Sequence, residues 1–306
     1  MSQDLLSFHN EGHEPKKISA LVRGFTKIGV ALADVFKYES ASLLSAKLSN
    51  EDTRERLRQH FLNAEEKLAD TKQADICEIP ASIGLPIVNK LLTLEQNKLS
   101  DAFVNLLAKG STYSTLGMVH PAFIQTLENL SADEASILYH LKDGSNIPII
   151  EISVSKYKKL IPPPEITNSN IPKTKEQIKA QIKYELQDIL ELEIEVDKNL
   201  SGLEHSINLT FKNNIDIYIE NMTRLGLLKL TKNQYNKEDE LVYEELEKIY
   251  MDRIDQIKET AKEFNNEDND NWKLEFILRK GYLSFTEYGI AFLDACVRPI
   301  KIAEEG

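Results

Sequence analysis

The stretch 281-GYLSFTEYGIAFLDAC-296 decides how the C-terminal half is read. Tyr282 to Phe285 is strand-like, Thr286 stands where a helix N-cap belongs, and Ile290, Phe292, Leu293 and Cys296 form an apolar helical face. A strand handing the chain to a helix through a threonine cap is the closing turn of many winged-helix domains. Working backwards, 213-NNIDIYIENMTRLGLLKL-230 predicts a helix with Ile215, Ile219, Met222 and Leu225 inward. Gly226 ends that helix and 227–231 reads as a first wing strand. The return strand is expected in 273-KLEFILRKGYLSF-285, with Lys280-Gly281 as a turn that can split it. Between the two strands, 236-NKEDELVYEELEKIYMDRIDQIKETAKEFNNEDND-270 is a long acidic insertion, mostly helical.

Further upstream, 147-IPIIEISVSKY-157 is β-branched and reads as a strand. Pro162, Pro163 and Pro164 break regular structure, and Thr174 with Gln177 opens a helix over 175-KEQIKAQIKYELQDILELE-193. In the middle region Pro80, Pro86 and Pro121 punctuate helix starts, Gly110 is a helix stop, and Ser131 with Glu134 has capping-box spacing. His120 reads as a cap or loop residue, His140 as a helix-end cation and Trp272 as an anchor. At the N-terminus, Ile18, Leu21, Val22, Phe25, Ile28, Leu32, Val35 and Phe36 form one helical stripe. Leu57, Phe61, Ala64 and Leu68 form a narrower seam on a second helix, with Asn50 as its cap.

The expected architecture is mainly α with a small β component: a helical N-terminal region followed by a degenerate winged-helix-like domain. Residues 1–17 are assigned to a flexible tail, 18–78 to two long amphipathic helices and 79–130 to a compact helical unit. The winged-helix-like domain spans 131–297 with insertions at 144–206 and 232–271, and 298–306 is a tail.

With 42% hydrophobic and 28% charged residues in 306, the chain is an ordinary globular protein rather than a disordered one. Its net charge of -12 opposes a large phosphate-binding surface, because affinity for nucleic acid comes mainly from Lys and Arg. Cys77 and Cys296 are too few for a disulfide scaffold and fit a reducing cytosol. Residues 1–17 carry early charges and no apolar core, so no secretory signal is expected. The most apolar run, 18–36, is broken by Arg23, Lys27 and Asp34, so a spanning helix is not expected. Contact of that first helix with a membrane surface is a lesser reading than packing on its neighbour or on a second copy.

For DNA binding the helix in the recognition position offers Lys212, Asn213, Asn214, Asn221 and Arg224. Asp216 and Glu220 sit between them and would repel phosphate, as would the acidic insertion at the wing tip. The scaffold therefore reads as turned to protein contact, with Leu241, Leu246, Ile249, Ile254 and Ile257 as the apolar docking edge of the insertion.

No phosphate loop, dinucleotide fingerprint or nucleophile elbow is present, and no catalytic residue or cofactor is expected. His9 and His13, with Glu11 and Glu14, have a metal-compatible spacing, but their Gly- and Pro-containing tail argues against a fixed site. The run 191-ELEIEVDK-198 has a nuclease-like Glu-x-Lys look through Glu193 and Glu195, which keeps a metal-dependent nuclease as a further alternative.

The runs 85-LPIVNKLLTLEQNKLSDAFVNLLAKG-110 and 119-VHPAFIQTLENLSADEASIL-138 resemble the abortive-infection alpha (Abi-alpha) family of bacterial phage-defence proteins. The pair 221-NMTRLGLLKL-230 and 281-GYLSFTEYGIAFLDACV-297 is similar to that family's closing motifs, with Ser284-Phe285 where leucine more often precedes the threonine. The resemblance covers residues 80 to 297 and implies a role in defence against bacteriophage by damage or arrest of the infected cell. It implies no reaction. The recurring residues, His120, Pro121, Phe123, Leu130, Gly226, Gly289 and Phe292 here, are mostly cap, turn and core positions.

Overall fold

A computed structural model describes residues 25–38, 47–158, 192–235, 237–267 and 272–300. The His9 to Glu14 group, Ile18 to Val22, the Pro162 to Pro164 loop and the Thr174–Gln177 helix start lie outside the described residues. The helical half comprises α1 (Lys27–Ala31), α2 (Ala33–Tyr38), α3 (Glu51–Lys67), α4 (Ala81–Leu91), α5 (Lys98–Gly110), α6 (Pro121–Glu128) and α7 (Ala132–His140). The stripe expected to run along one long helix is interrupted at Leu32, which separates α1 from α2. Its inward residues Ile28, Leu32 and Val35 are fully buried, within the same core as Leu57, Phe61, Ala64 and Leu68 of the α3 seam.

Helix starts are fixed by caps of two kinds. Asn50 accepts from Thr53 N at 3.1 Å, Asn97 and Ser131 each close a capping box, and His120 Nδ1 accepts from Ala122 N at 3.1 Å. Thr26, in contrast, makes no side-chain cap for α1. Glu65, reaching across from α3, accepts from the backbone N–H groups of Thr26, Lys27 and Ile28 instead. Burial would raise that carboxyl, but these donors and the Thr26 hydroxyl hold it below the usual range.

Helix α5 is the axis of this half: from Leu99 to Gly110 every residue but Asp101 is buried. It packs on α3, α4, α6, α7 and the C-terminal turn. His60 on α3 is fully buried beside the turn that leads into α5. Its Nε2 donates to Leu94 O at 2.8 Å and its Nδ1 accepts from Gln96 Nε2 at 3.3 Å, so the ring is neutral. Burial pushes its pKa below 6.5, with Arg56 adding to the shift while the Leu94 carbonyl and Asp101 oppose it. The unfolded chain therefore binds more protons below that value. Stability is complete above 6.5 and falls as the pH drops through the depressed folded value. Urea unfolding midpoints measured downward from neutral pH should show this loss, and His60→Gln should flatten that part of the profile. An unchanged slope in the variant would assign the acid sensitivity to other groups.

The second half contains β1 (Ile147–Lys158), β2 (Leu192–Leu200), α8 (Leu203–Ser206), α9 (Ile215–Arg224) and β3 (Leu228–Lys232). It continues through α10 (Glu240–Ile249), α11 (Met251–Asn266), β4 (Trp272–Phe285), α12 (Glu287–Phe292) and a π-helical turn, Leu293–Val297. The strands form one antiparallel sheet in the order β2-β1-β4-β3. The chain is thus mainly helical with a small four-stranded sheet.

Three further sequence expectations are corrected. Pro86 lies inside α4 rather than at a helix start. Leu192 and Glu193 belong to a strand, not to the end of a helix, because Leu192, Ile194 and Val196 alternate with carboxylates and pair with β1. Strand β4 is not split at Lys280-Gly281. Gly281 pairs with Ile149 on one side and Lys232 on the other, and a Cβ there would meet Thr231 O at 2.6 Å. The glycine lets β3 close on β4 rather than turning the chain.

The quoted closing stretch folds as expected. Gly289 N donates to Thr286 Oγ1 at 2.9 Å, and Thr286 Oγ1 in turn donates to Gly226 O at 2.5 Å. This joins the α12 cap to the end of α9, where Gly226 takes a left-handed φ of 74°. Phe292 packs edge-on against Phe123 with ring centroids 5.6 Å apart. The carbonyls at the end of this last helix are received by α5: Asn105 Nδ2 donates to Cys296 O at 2.9 Å, and Lys109 Nζ donates to Asp294 O and to Arg298 O. Burial lowers the Lys109 pKa to about 8, against the raising influence of Cys296 and Asp294.

Candidate functional site

Helix α9 is built into the fold by Asp133, the second residue of α7. This buried carboxylate accepts from Thr210 N at 2.8 Å, Phe211 N at 2.9 Å and the Tyr218 hydroxyl at 2.8 Å. Burial alone would raise it, yet these donors hold it below the ordinary carboxylate range. Ile215, Tyr218, Ile219 and Met222 face inward, as the helical spacing requires. Lys212, Asn213 and Arg224 are exposed, while the Asn214 side chain bonds Tyr218. Asn221 is a strut rather than an open amide. Its Nδ2 donates to Asn129 O at 3.0 Å and Glu134 Oε1 at 2.6 Å, and its Oδ1 accepts from Arg224 at 2.7 Å. Both of its N–H groups are therefore engaged within the chain, and no donor is left to read an adenine.

Between α9 and the β2 edge of the sheet lies a cleft of about 430 Å³. Lys232 enters it from β3 and pairs with Glu151 at 2.8 Å and Glu195 at 3.0 Å, while Lys198 pairs with Glu220. Glu151 is buried, and it is a functional-looking residue that periodicity did not single out. The signal was there: one carboxylate in the apolar run Ile149, Ile150, Glu151, Ile152. Glu193 and Glu195, the nuclease candidates, each engage a cation, Glu193 by a bidentate contact with Arg279. Among the described residues no group of three His, Cys, Asp or Glu side chains is placed to hold a metal ion. Asp216 at the start of α9 is raised by burial, and Glu204, Glu220 and Asp197 reinforce the shift against Lys198. Around the cleft Glu151, Glu195 and Glu220 are matched by Lys198, Lys232 and Arg224, and Asp216 is the additional carboxylate.

The sequence model of the abortive infection alpha family matches residues 49–296. The chain belongs to this family. Neither a curated protein nor a solved structure matches it. Membership ties the chain to abortive infection and phage defence. The matched span runs from the cap of α3 to the π-helical turn and contains the four strands of the described residues, whereas α1 and α2 precede it.

Within this Abi-alpha fold the motif residues have structural work. His120 caps α6, Phe123 and Phe292 meet edge to face in the core, Gly226 turns the chain after α9, and Gly289 touches the backbone of Leu227. The docking edge expected on the acidic insertion divides into two sets. Leu246, Ile254 and Ile257 are buried with Tyr243 in a second core against Ile150 and Ile152 of the sheet. Leu241 and Ile249 face outward, 76% and 41% exposed. The hairpin is pinned from below by the Tyr243 hydroxyl, which donates to Gly281 O at 2.7 Å, and by Lys280, which pairs with Glu240 at 2.6 Å. Among the described residues no helix is long and apolar enough to cross a membrane.

Proposed function

We propose that this Abi-alpha protein acts in the bacterial cytosol against phage infection through contacts with other polypeptides, without a catalytic step of its own. In this reading α9, β3, β4 and α12 form a degenerate winged-helix-like unit, with α10 and α11 standing where a wing would turn. One observation carries it. The side of α9 toward β2 bears half-buried Asp216 and exposed Glu220, its Asn221 is bound to α7, and the element between β3 and β4 is an acidic helical pair. A polyanion gripped through those elements would meet carboxylates, and base-reading groups without phosphate anchors give little affinity. A polypeptide meets no such penalty.

The test is to express the protein in a susceptible bacterium and challenge it with a broad phage panel. Plating efficiency should fall for at least one phage. Unchanged plating across the panel, with the protein confirmed present, would overturn the defence role. Incubation of purified protein with nucleic acid and Mg²⁺ addresses the absence of catalysis. Degradation that disappears in Glu195→Gln would replace the contact reading with a nuclease.

A further inference from the structure

The acidic hairpin α10–α11 narrows the chemistry of a partner. Helix α10 turns about 100° per residue. Tyr243 and Leu246 therefore define its buried face, and Leu241, Val242, Glu245 and Ile249 share an adjoining outward arc. Leu241 is 76% exposed, Val242 42% and Ile249 41%, and Met251 at the start of α11 is 50% exposed. This platform is held in place rather than loose. Ile249 lies beside Gly202, where an added Cβ would come within 3.5 Å of its Cδ1, and Tyr250 accepts from Gly202 N at 3.0 Å. Around it, residues 238–267 carry eleven carboxylates against four cations, a net -7 of the whole chain's -12. Glu244, Glu245, Asp252 and Asp255 of this set are exposed.

We propose that the outward face of α10 docks a basic amphipathic helix of a protein partner. Its apolar side would lie on Leu241, Val242 and Ile249, with its lysines or arginines over the surrounding carboxylates. This inference rests on the protein-contact reading and adds the partner's chemistry to it. An apolar centre inside a charged rim is the usual anatomy of a specific interface, and a helix laid in such a site is read by anchors at helical spacing. The charge selects among occupants. A second copy would bring an equally acidic hairpin against this one, and an anionic membrane or a nucleic acid would be repelled for the same reason.

The probe is a fluorescein-labelled Leu/Lys peptide of about 14 residues, long enough for roughly four helical turns. A Lys/Ser peptide of the same charge serves as the charge-only control. By fluorescence anisotropy with the full chain, the Leu/Lys peptide should bind at least about tenfold more tightly than the control. The double substitution Leu241→Ser with Ile249→Ser keeps every charge and should weaken Leu/Lys binding by at least about tenfold, with an unchanged circular dichroism spectrum. Equal binding of the two peptides, unchanged binding by the double variant, or no binding would overturn the proposal. So would a concentration-dependent dimer in sedimentation that the same substitutions dissolve, since it would make a second copy the occupant. Phage plating separates the two levels: a chain that protects cells yet ignores the Leu/Lys peptide sinks only this inference, and one that binds the peptide yet protects against no phage sinks the defence reading alone.

Discussion

Gly289→Ala should destabilise the protein by about 3 kcal/mol or more, enough to shift its urea midpoint well outside the range of ordinary surface substitutions. A Cβ at that position would lie 2.1 Å from Leu227 O and 3.0 Å from Leu227 C, both backbone atoms at the entry to β3. Leu227 O already accepts from Thr286 N at 3.1 Å, so it cannot withdraw without loosening the α12 cap. Neither partner is the free end of a flexible side chain, and relief requires α12 to lift away from the α9–β3 turn. Gly226→Ala is the matched control. Its φ is 74° but an added Cβ would meet nothing within 4 Å, so only backbone strain of about 1 kcal/mol applies. Equal midpoints for the two variants would contradict the packing account of Gly289.

The second large effect is expected at Asp133. Asp133→Ala should cost about 3 kcal/mol or more, because it leaves two backbone N–H groups and the Tyr218 hydroxyl without their acceptor. The damage should be local to the approach and first turns of α9. Hydrogen exchange at Thr210 and Phe211 reports it directly, since both amides donate to this carboxylate. Asp133→Asn retains an acceptor oxygen and should fall between the alanine variant and the unmodified protein. Unaltered protection at these two amides in Asp133→Ala would show that α9 is held by its apolar face alone.

What the sequence made legible follows from the range of each signal. Caps are local, so Asn50, Ser131 with Glu134, and Thr286 could be read directly and have the bonds their spacing required. Non-local caps leave no such trace. Nothing near Thr26 announces that Glu65 closes its helix, and nothing near Cys296 announces Asn105 and Lys109. The start of β2 was hidden for a different reason: the helix expected over 175–193 claims Leu192 and Glu193, whereas the period-two alternation of Leu192, Ile194 and Val196 and the pairing with β1 mark a strand. The acidic insertion shows the limit most plainly. Periodicity gives an amphipathic edge but does not name the surface that edge will meet, and Leu246, Ile254 and Ile257 meet the sheet of their own chain. The residues left outward could be told from the inward ones only once that packing was known.

In the proposed reading, the elements placed to meet a nucleic acid, α9 and the α10–α11 hairpin, carry Asp216, Glu220 and the acidic insertion. Titration of the full chain into labelled duplex DNA, followed by anisotropy between about 50 and about 200 mM salt, tests it most directly. No saturable binding is expected even at the low end of that range. Tight binding at low salt that weakens steeply as salt rises, and that is lost in Lys212→Ala with Arg224→Ala, would contradict it.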